Sequence, residues 1–348
     1  MEKVIILGTG NAGVKNCYNT CFALKNKNEY LLVDAGGGNG ILKQLELAKI
    51  ELSQITNMIV THSHTDHVLG VVWIFRMVAT KIKSGEYDGN FNIYCHDELV
   101  STIKTIIKLT VQEKLYNLID ERIFINEVQD GQKITICEHL VTFFDIYSTK
   151  AKQFGFSIEL DDGKLTCLGD EPFNELCYQY AVDSKWLLSE AFCLYQERDF
   201  FKPYEKHHST VREASELAQT LNIKNLILYH TEEKNLSHRK KLYTDEAKQY
   251  FNGNIFVPDD LKNIGCRRSN MTLDKLIPGM SGKVTIVHGE GLLRRRLLEM
   301  GLTPKTVVKV RKIAPMGDPI ELYLRSYVLT IRKDDAAMIE VEVISDAN

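Results

Sequence analysis

The chain has 348 residues, 44% of them apolar and 26% charged, with a formal net charge of −3. That length implies two domains, or a large one and a small one, and the composition excludes a disordered chain. A balance so close to neutral provides no global field to attract nucleic acid, leaving only a local patch for that purpose.

The opening Met-Glu-Lys-Val-Ile-Ile-Leu-Gly reads as a strand rather than a signal peptide. Apolar runs such as Val68–Phe75 are too short to span a bilayer, so no membrane insertion is expected. Cysteines stand at 17, 21, 95, 137, 167, 177, 193 and 266 without a Cys-x-x-Cys pair, which predicts reduced thiols and a cytoplasmic protein. Strand-like runs follow at Val4–Leu7, Tyr30–Val33, Met58–Thr61, Phe91–Tyr94, Val141–Phe144, Phe154–Leu160, Lys164–Leu168 and Leu226–Tyr229. Apolar residues at helical spacing predict helices over Ile41–Lys49, Val68–Lys83, Glu98–Leu109 and Val211–Leu221, the last with a hydroxyl cap from Ser209 and Thr210 and Glu213 in its first turn. This mixture predicts an α/β domain over 1–257. A polar stretch, 258–271, reads as a linker, and 272–348 as a small β-rich domain. In the latter, strands are expected at Lys283–Val287, Val307–Ile313, Ile320–Leu324, Val328–Arg332 and Ile339–Ile344, with a helix over Leu292–Met300 stopped by Gly301.

Gly8-Thr9-Gly10-Asn11-Ala12-Gly13 fits a dinucleotide-binding pattern, with Asp34 downstream. That reading requires a helix to start in the turn, yet Val14–Thr20 is a poor helix former and Ala35-Gly36-Gly37-Gly38 interrupts any second βα unit. The loop is expected to form the rim of a site instead. His62, His64, Asp66 and His67 fall within six positions between an apolar strand and an apolar helix. Imidazole and carboxylate groups suit zinc, iron or manganese. At a strand end, His62 and His64 share a face, while the turn into a helix at Val68 carries Asp66 and His67 to a second position.

His-x-His-x-Asp-His resembles the signature of the metallo-β-lactamase superfamily, and the chain looks closest to its ribonuclease Z-like branch. Leu7–Ala12, Leu32–Gly36, Leu168-Gly169-Asp170, His208-Ser209-Thr210 and Leu228–Thr231 match that branch in order over about 1–257. The resemblance implies a four-layer αββα sandwich with two divalent metal ions at one edge, zinc being expected first and iron or manganese next. It assigns His62 and His64 to one ion, Asp66, His67 and His230 to the other, and Asp170 to both. A further histidine belongs before Gly155-Phe156 in that family, and this chain has none; Asp145, Ser148, Thr149 or water are the candidate replacements, with His139 too early.

A pair of ions about 3.5–4 Å apart can activate a bridging hydroxide, so the resemblance implies a metal-dependent hydrolase, foremost a phosphodiesterase. Asp66 would orient the nucleophile and His208 would protonate the leaving oxygen; these two are the catalytic candidates. Glu171, Glu190 and Glu232 are weaker candidates for partners of the ligands. His207 is read as solvated, and His96, His238 and His288 as ordinary polar residues. Residues 172–204 contain no basic arm, which favours a small phosphoester over tRNA, although tRNA 3′-processing remains the alternative and a non-catalytic metal-responsive protein a third reading. Tyr178, Tyr180, Trp186, Tyr195 and Phe201 are read as core packing before pocket lining. The tail resembles the FeoA family through Leu276–Val284, Leu297–Pro304 and Ala314–Ile320. That likeness implies an SH3-like β-barrel, with a regulatory or docking role toward a protein partner or a second copy. Arg294, Arg295 and Arg296 are expected on a solvated helix face or paired with carboxylates.

Overall fold

The computed structural model describes residues 3–265, 271–289 and 291–344. The chain divides into two compact units, Met1–Cys266 and Arg267–Asn348.

Two seven-stranded sheets form the first unit. One runs Asn263–Gly265, Lys3–Gly8, Cys21–Asn26, Glu29–Val33, Ile55–Ile59, Phe91–Cys95 and Ile123–Glu127 in spatial order. The other runs Asn254–Phe256, Asn225–Tyr229, Trp186–Glu190, Gly163–Cys167, Phe154–Leu160, His139–Asp145 and Lys133–Ile136. Alternation along the strands explains the layering. Val4 and Ile6, Leu31 and Val33, and Phe143, Leu188 and Ile227 meet in a core between the sheets. Their neighbours Ile5, Leu7 and Leu32 turn outward against Ile74, Phe75 and Ile103 of the helices Thr65–Ser84 and Asp97–Thr110. Leu187, Leu226 and Leu228 meet Val211 and Ala214 of the helix Val211–Thr220, and Tyr243 of Arg239–Ala247. Because both faces are buried, these strands read as continuous apolar runs rather than alternating ones. The result is an αββα sandwich.

In each sheet, four adjacent strands run parallel: Glu29–Val33 through Ile123–Glu127, and Gly163–Cys167 through Asn254–Phe256. Their carboxyl ends are where α/β sheets place ligands. Several expectations shift here. The helix expected from Val68 begins at Thr65, which puts Asp66 and His67 on its first turn. The strand expected over Met58–Thr61 ends at Ile59, leaving 60–64 outside regular structure. Val14–Thr20 forms no helix. Cys21–Asn26, Ile123–Glu127, Lys133–Ile136 and Trp186–Glu190 are strands that sequence reading passed over.

The segment read as a linker begins inside the first unit. Asn263–Gly265 pairs with Lys3–Gly8. Asp260 accepts from Thr9 Oγ1 at 2.8 Å and from the Tyr18 backbone at 2.6 Å, and the buried Arg239 donates to the Pro258 carbonyl at 2.9 Å. Apolar spacing could not reveal this, because polar side chains and backbone make the attachment; residues 266–270 lie outside the described residues.

The second unit is a six-stranded antiparallel sheet around its own core, which includes Leu273, Val284, Leu297, Val308, Leu322 and Ile339. Bulges between Val284 and Ile286 and between Val310 and Lys312 bend it. Met271–Thr272 adds a sixth strand to the five expected. The helix Gly291–Glu299 is followed by Gly301 at φ +80°, a conformation that favours glycine. Arg295 pairs with Glu299 at 2.8 Å and Arg296 with Asp335 at 2.6 Å, while Arg294 donates to the Val287 carbonyl.

Candidate metal centre

Five strand ends converge on one rim of the sandwich. His62 and His64 follow Ile55–Ile59, Asp34 follows Glu29–Val33, and Asp170 follows Gly163–Cys167. Glu190 ends Trp186–Glu190, and His230 follows Asn225–Tyr229. Asp66 and His67 enter from the first turn of Thr65–Ser84. Asp34 and His230 both sit at positive φ, +54° and +55°, a conformation uncommon outside glycine that here turns the chain sharply at the rim.

The donor atoms are spaced for cations. A tetrahedron with arms of about 2.1 Å has edges of about 3.4 Å. Asp66 Oδ2 lies 3.5 Å from His67 Nε2 and 3.4 Å from His230 Nε2. Asp170 Oδ2 lies 3.6 Å from His67 Nε2 and 3.4 Å from His230 Nε2. His67 Nε2 is buried with no hydrogen-bond partner, an acceptor left open toward the same point. Asp66, His67 and His230 therefore fit a divalent cation, and Asp170 Oδ2 faces the same two imidazoles. His62 Nε2 stands 3.5 Å from Asp170 Oδ2 and 2.8 Å from His64 Nδ1. Within 4.8 Å of one another, the convergent groups are His62, His67 and Asp170; Asp66, His67 and His230; and Asp170, His208 and His230. His64 reaches the cluster only through His62.

Outer partners fix these ligands. The Asp34 carboxylate accepts from His67 Nδ1 at 2.8 Å and from the Thr61 amide and hydroxyl at 2.8 Å each, so His67 must present Nε2 inward. The Thr61 hydroxyl lies 3.0 Å from His62 Nδ1, and the Gln153 amide nitrogen approaches the same atom at 3.2 Å. Gln153, 1% exposed, donates from Nε2 to Asp170 Oδ1 at 2.6 Å. Burial works against charge throughout. It pulls His67 down, but Asp34, Asp66 and Asp170 overcome it and raise its pKa to about 10. Burial likewise opposes ionisation of Asp66 and Asp170, yet the surrounding imidazoles hold both carboxyls well below the usual range. A pocket so rich in buried negative charge binds protons or metal ions in competition.

His208 is placed beside this cluster. Its Nδ1 donates to the Asp170 carbonyl at 2.8 Å and lies 3.2 Å from Glu190 Oε2. Burial lowers its pKa, but the Glu190 carboxylate prevails and raises it. Phe192 stacks on the His208 ring at 4.8 Å and 6°. The cleft above, about 590 Å³, is lined by His64, Asp66, Asp170, Phe192, His208 and His230, by Asn11–Gly13 of the glycine loop, and by Lys150 and Lys206. Lys150 Nζ donates to the Lys206 carbonyl, and Lys206 Nζ lies 5.0 Å from the Phe192 ring centroid.

Other candidates serve elsewhere. Asp145 Oδ1 accepts from the Tyr147 amide, Ser148 Oγ donates to Glu171, and Thr149 Oγ1 pairs with His207 Nδ1. His139 Nδ1 bonds to the Glu159 carbonyl. Glu171 thus anchors the 148–149 loop and Glu232 accepts from the Lys234 amide, neither contacting the ligand set. His96 caps Asp97–Thr110, and His288 pairs with Glu340 at 2.7 Å. Trp186 and Tyr180 are packing groups, the latter stacked on Phe144 at 4.6 Å, while Tyr178, Tyr195 and Phe201 also lie outside the cleft lining. Sequence reading missed the roles of Asp34 and Gln153, and the aromatic that does line the cleft, Phe192. The sole local signal was Asp34 at a strand end before three glycines.

The family described as Anti-Pycsar protein Apyc1 matches residues 2–251, well over half the chain. The chain belongs to the Apyc1 family. The chain is 23% identical over 310 aligned residues to a ribonuclease Z of Thermococcus sibiricus, covering 75% of this chain and 95% of that protein. The metallo-β-lactamase fold protein YhfI of Bacillus subtilis superposes with a TM-score of 0.62 at 18% identity, covering 76% of this chain and 99% of the other. The Apyc1 region thus has the metallo-β-lactamase fold. Beyond it, residues 271–343 match the FeoA domain. That part is 39% identical over 75 residues to a Fe(2+) transport protein A/Fe(2+) transporter FeoB fusion protein of Porphyromonas gingivalis, covering 22% of this chain but 9% of that protein.

Proposed function

We propose that the chain is a metal-dependent phosphodiesterase acting on a small phosphoester. The observation that carries this reading is the buried donor group of Asp66, His67 and His230, with Asp170 Oδ2 at 3.6 and 3.4 Å from the same two imidazoles and a carboxylate-paired imidazole, His208, beside it. His62 and His64, with Asp66, His67, Asp170 and His230, would hold two divalent cations, zinc by the donor set. When bound, such ions supply Lewis acidity, stabilising charge on phosphoryl oxygens and making water a nucleophile at neutral pH.

The protein's own groups do the rest. His208 is held by the Asp170 carbonyl and Glu190 at Nδ1, leaving Nε2 to deliver a proton to the leaving oxygen. Lys150 and Lys206 give the cleft mouth positive charge for a phosphate. The volume suits a small molecule, and this pair of lysines is a slight basic surface for a tRNA. The similarity to proteins named ribonuclease Z supports the second reading, RNA phosphodiester cleavage. The free cysteines support a reducing, cytoplasmic setting, and among the described residues no helix is long and apolar enough to cross a membrane. The FeoA region is assigned a regulatory or docking role.

Purified protein supplied in turn with zinc, manganese or ferrous ion is expected to hydrolyse bis-p-nitrophenyl phosphate. His67→Ala is expected to abolish turnover; full activity in that variant, or inertness of the parent with every metal, would overturn the reading. Cleavage of precursor tRNA in preference to the small diester would select the second reading.

A further inference from the structure

The two cation positions differ in how ready they are. Asp66, His67 and His230 offer three donor atoms within 4.8 Å of one another, and the distances from the Asp66 and Asp170 carboxylates to the two imidazoles are 3.4–3.6 Å, the edge length of a tetrahedral shell. At the other position His62 Nε2 keeps that spacing to Asp170 Oδ2, 3.5 Å, but stands only 2.8 Å from His64 Nδ1. That is shorter than a tetrahedral edge and right for two nitrogens sharing a proton.

Nothing from the neighbouring loop completes the second set. Asp145, Ser148 and Thr149 are engaged with Tyr147, Glu171 and His207 respectively. The buried polar group that reaches His62 and Asp170 from this loop is the Gln153 amide, at 3.2 Å from His62 Nδ1 and 2.6 Å from Asp170 Oδ1. A carboxylate oxygen at 2.6 Å requires a donor, so the NH₂ of the amide faces Asp170. Oδ1 thus accepts from Gln153, and Oδ2 is the oxygen that faces His62, His67 and His230.

We propose that the centre loads unequally. The cation held by Asp66, His67, His230 and Asp170 is resident, and the one at His62 and His64 is exchangeable, its shell completed by an oxygen of a bound phosphate group. Gln153 sets the difference by fixing Asp170 where the fold's relatives were expected to carry a further histidine. This rests on the hydrolase reading, but its test counts metal rather than turnover.

The full chain, loaded with excess zinc and passed over a chelating resin, is expected to keep one equivalent by elemental mass spectrometry. In calorimetry, a second equivalent is expected to bind at least about tenfold more weakly, and inorganic phosphate is expected to tighten that second step. His64→Ala should keep the resident equivalent and His230→Ala should lose it. If His230→Ala fails to fold by circular dichroism, Asp66→Asn gives the same reading. Two equivalents retained by the parent, or equal loss in the His64 and His230 variants, would overturn the proposal. Failure of the fully loaded protein to turn over any phosphodiester would sink the hydrolase reading and leave this metal count standing.

Discussion

Asp34 never touches the cleft, yet it decides which nitrogen His67 offers. Its carboxylate takes the Nδ1 proton at 2.8 Å while the Thr61 amide and hydroxyl hold it from behind. Partners of this kind tune metal affinity by about 10–100-fold, so Asp34→Asn should weaken zinc binding by that order in a competition titration with a chromophoric chelator. Unchanged affinity would mean that the imidazole is oriented by packing alone. Glu190 has the corresponding hold on His208. Since it raises the imidazole pKa against burial, the protonated form persists above the ordinary histidine range and is lost as pH rises through the raised value. Glu190→Gln should therefore shift the alkaline limb of kcat/KM to lower pH. A limb that stays in place would remove His208 as the proton donor. The density of metal-competent side chains in 62–67 was visible in the sequence, because all four lie within two turns of chain. The pairings of Asp34 with His67 and of Gln153 with Asp170 were not, since they join residues 33 and 17 positions apart.

The helix Thr65–Ser84 carries two ligands at its start and owes its position to Gly70. A Cβ there would lie 1.9 Å from the Ala35 carbonyl oxygen and 2.8 Å from the Ala35 Cβ. In an open helix, alanine at a glycine position gains about 1 kcal/mol. Here the clash with backbone wins, and overpacking of this kind costs about 1–3 kcal/mol. Gly70→Ala should lower urea-unfolding stability by about that amount and displace Asp66 and His67 enough to weaken zinc retention; a stabilised variant would show that the helix can slide without cost. The helix Val211–Thr220 is simpler to read from sequence. Thr210 and Glu213 form the capping box that the spacing announced, and Thr210→Ala should cost about 1 kcal/mol in the same assay. Many strands with two buried faces were recognised by their unbroken apolar runs, but Cys21–Asn26 and Trp186–Glu190, equally buried, end in Lys25-Asn26 and Ser189-Glu190 and were passed over. Short edge strands such as Asn254–Phe256 and Asn263–Gly265, with three residues each, gave no such run to detect.

At the scale of the molecule, the two units have separate cores: one divided into three layers of apolar contact across the sandwich, the other gathered around the sheet of residues 271–344. A chain ending at residue 265 retains Asn263–Gly265 and the Asp260 contacts, and is expected to fold and keep its resident cation. A chain ending at 257, where spacing alone placed the boundary, loses both and should be measurably less stable to urea. Equal stability of the two would deny the 258–265 segment its part in the fold.

Local pattern, by itself, determined the α/β class, the glycine loop as rim, the ligand-dense turn and the small β-rich tail, because each is written in neighbours a few residues apart; the αββα layering was implied by the family resemblance. Tertiary structure alone decided that Asp66, His67 and His230 converge, with Asp170 beside the same imidazoles, while His62 and His64 close on each other. It alone showed Gln153, rather than Asp145, Ser148 or Thr149, beside the Asp170 carboxylate. Spacing of about 3.4 Å between side chains on different strands is a property of how sheets pack, and no window of sequence contains it.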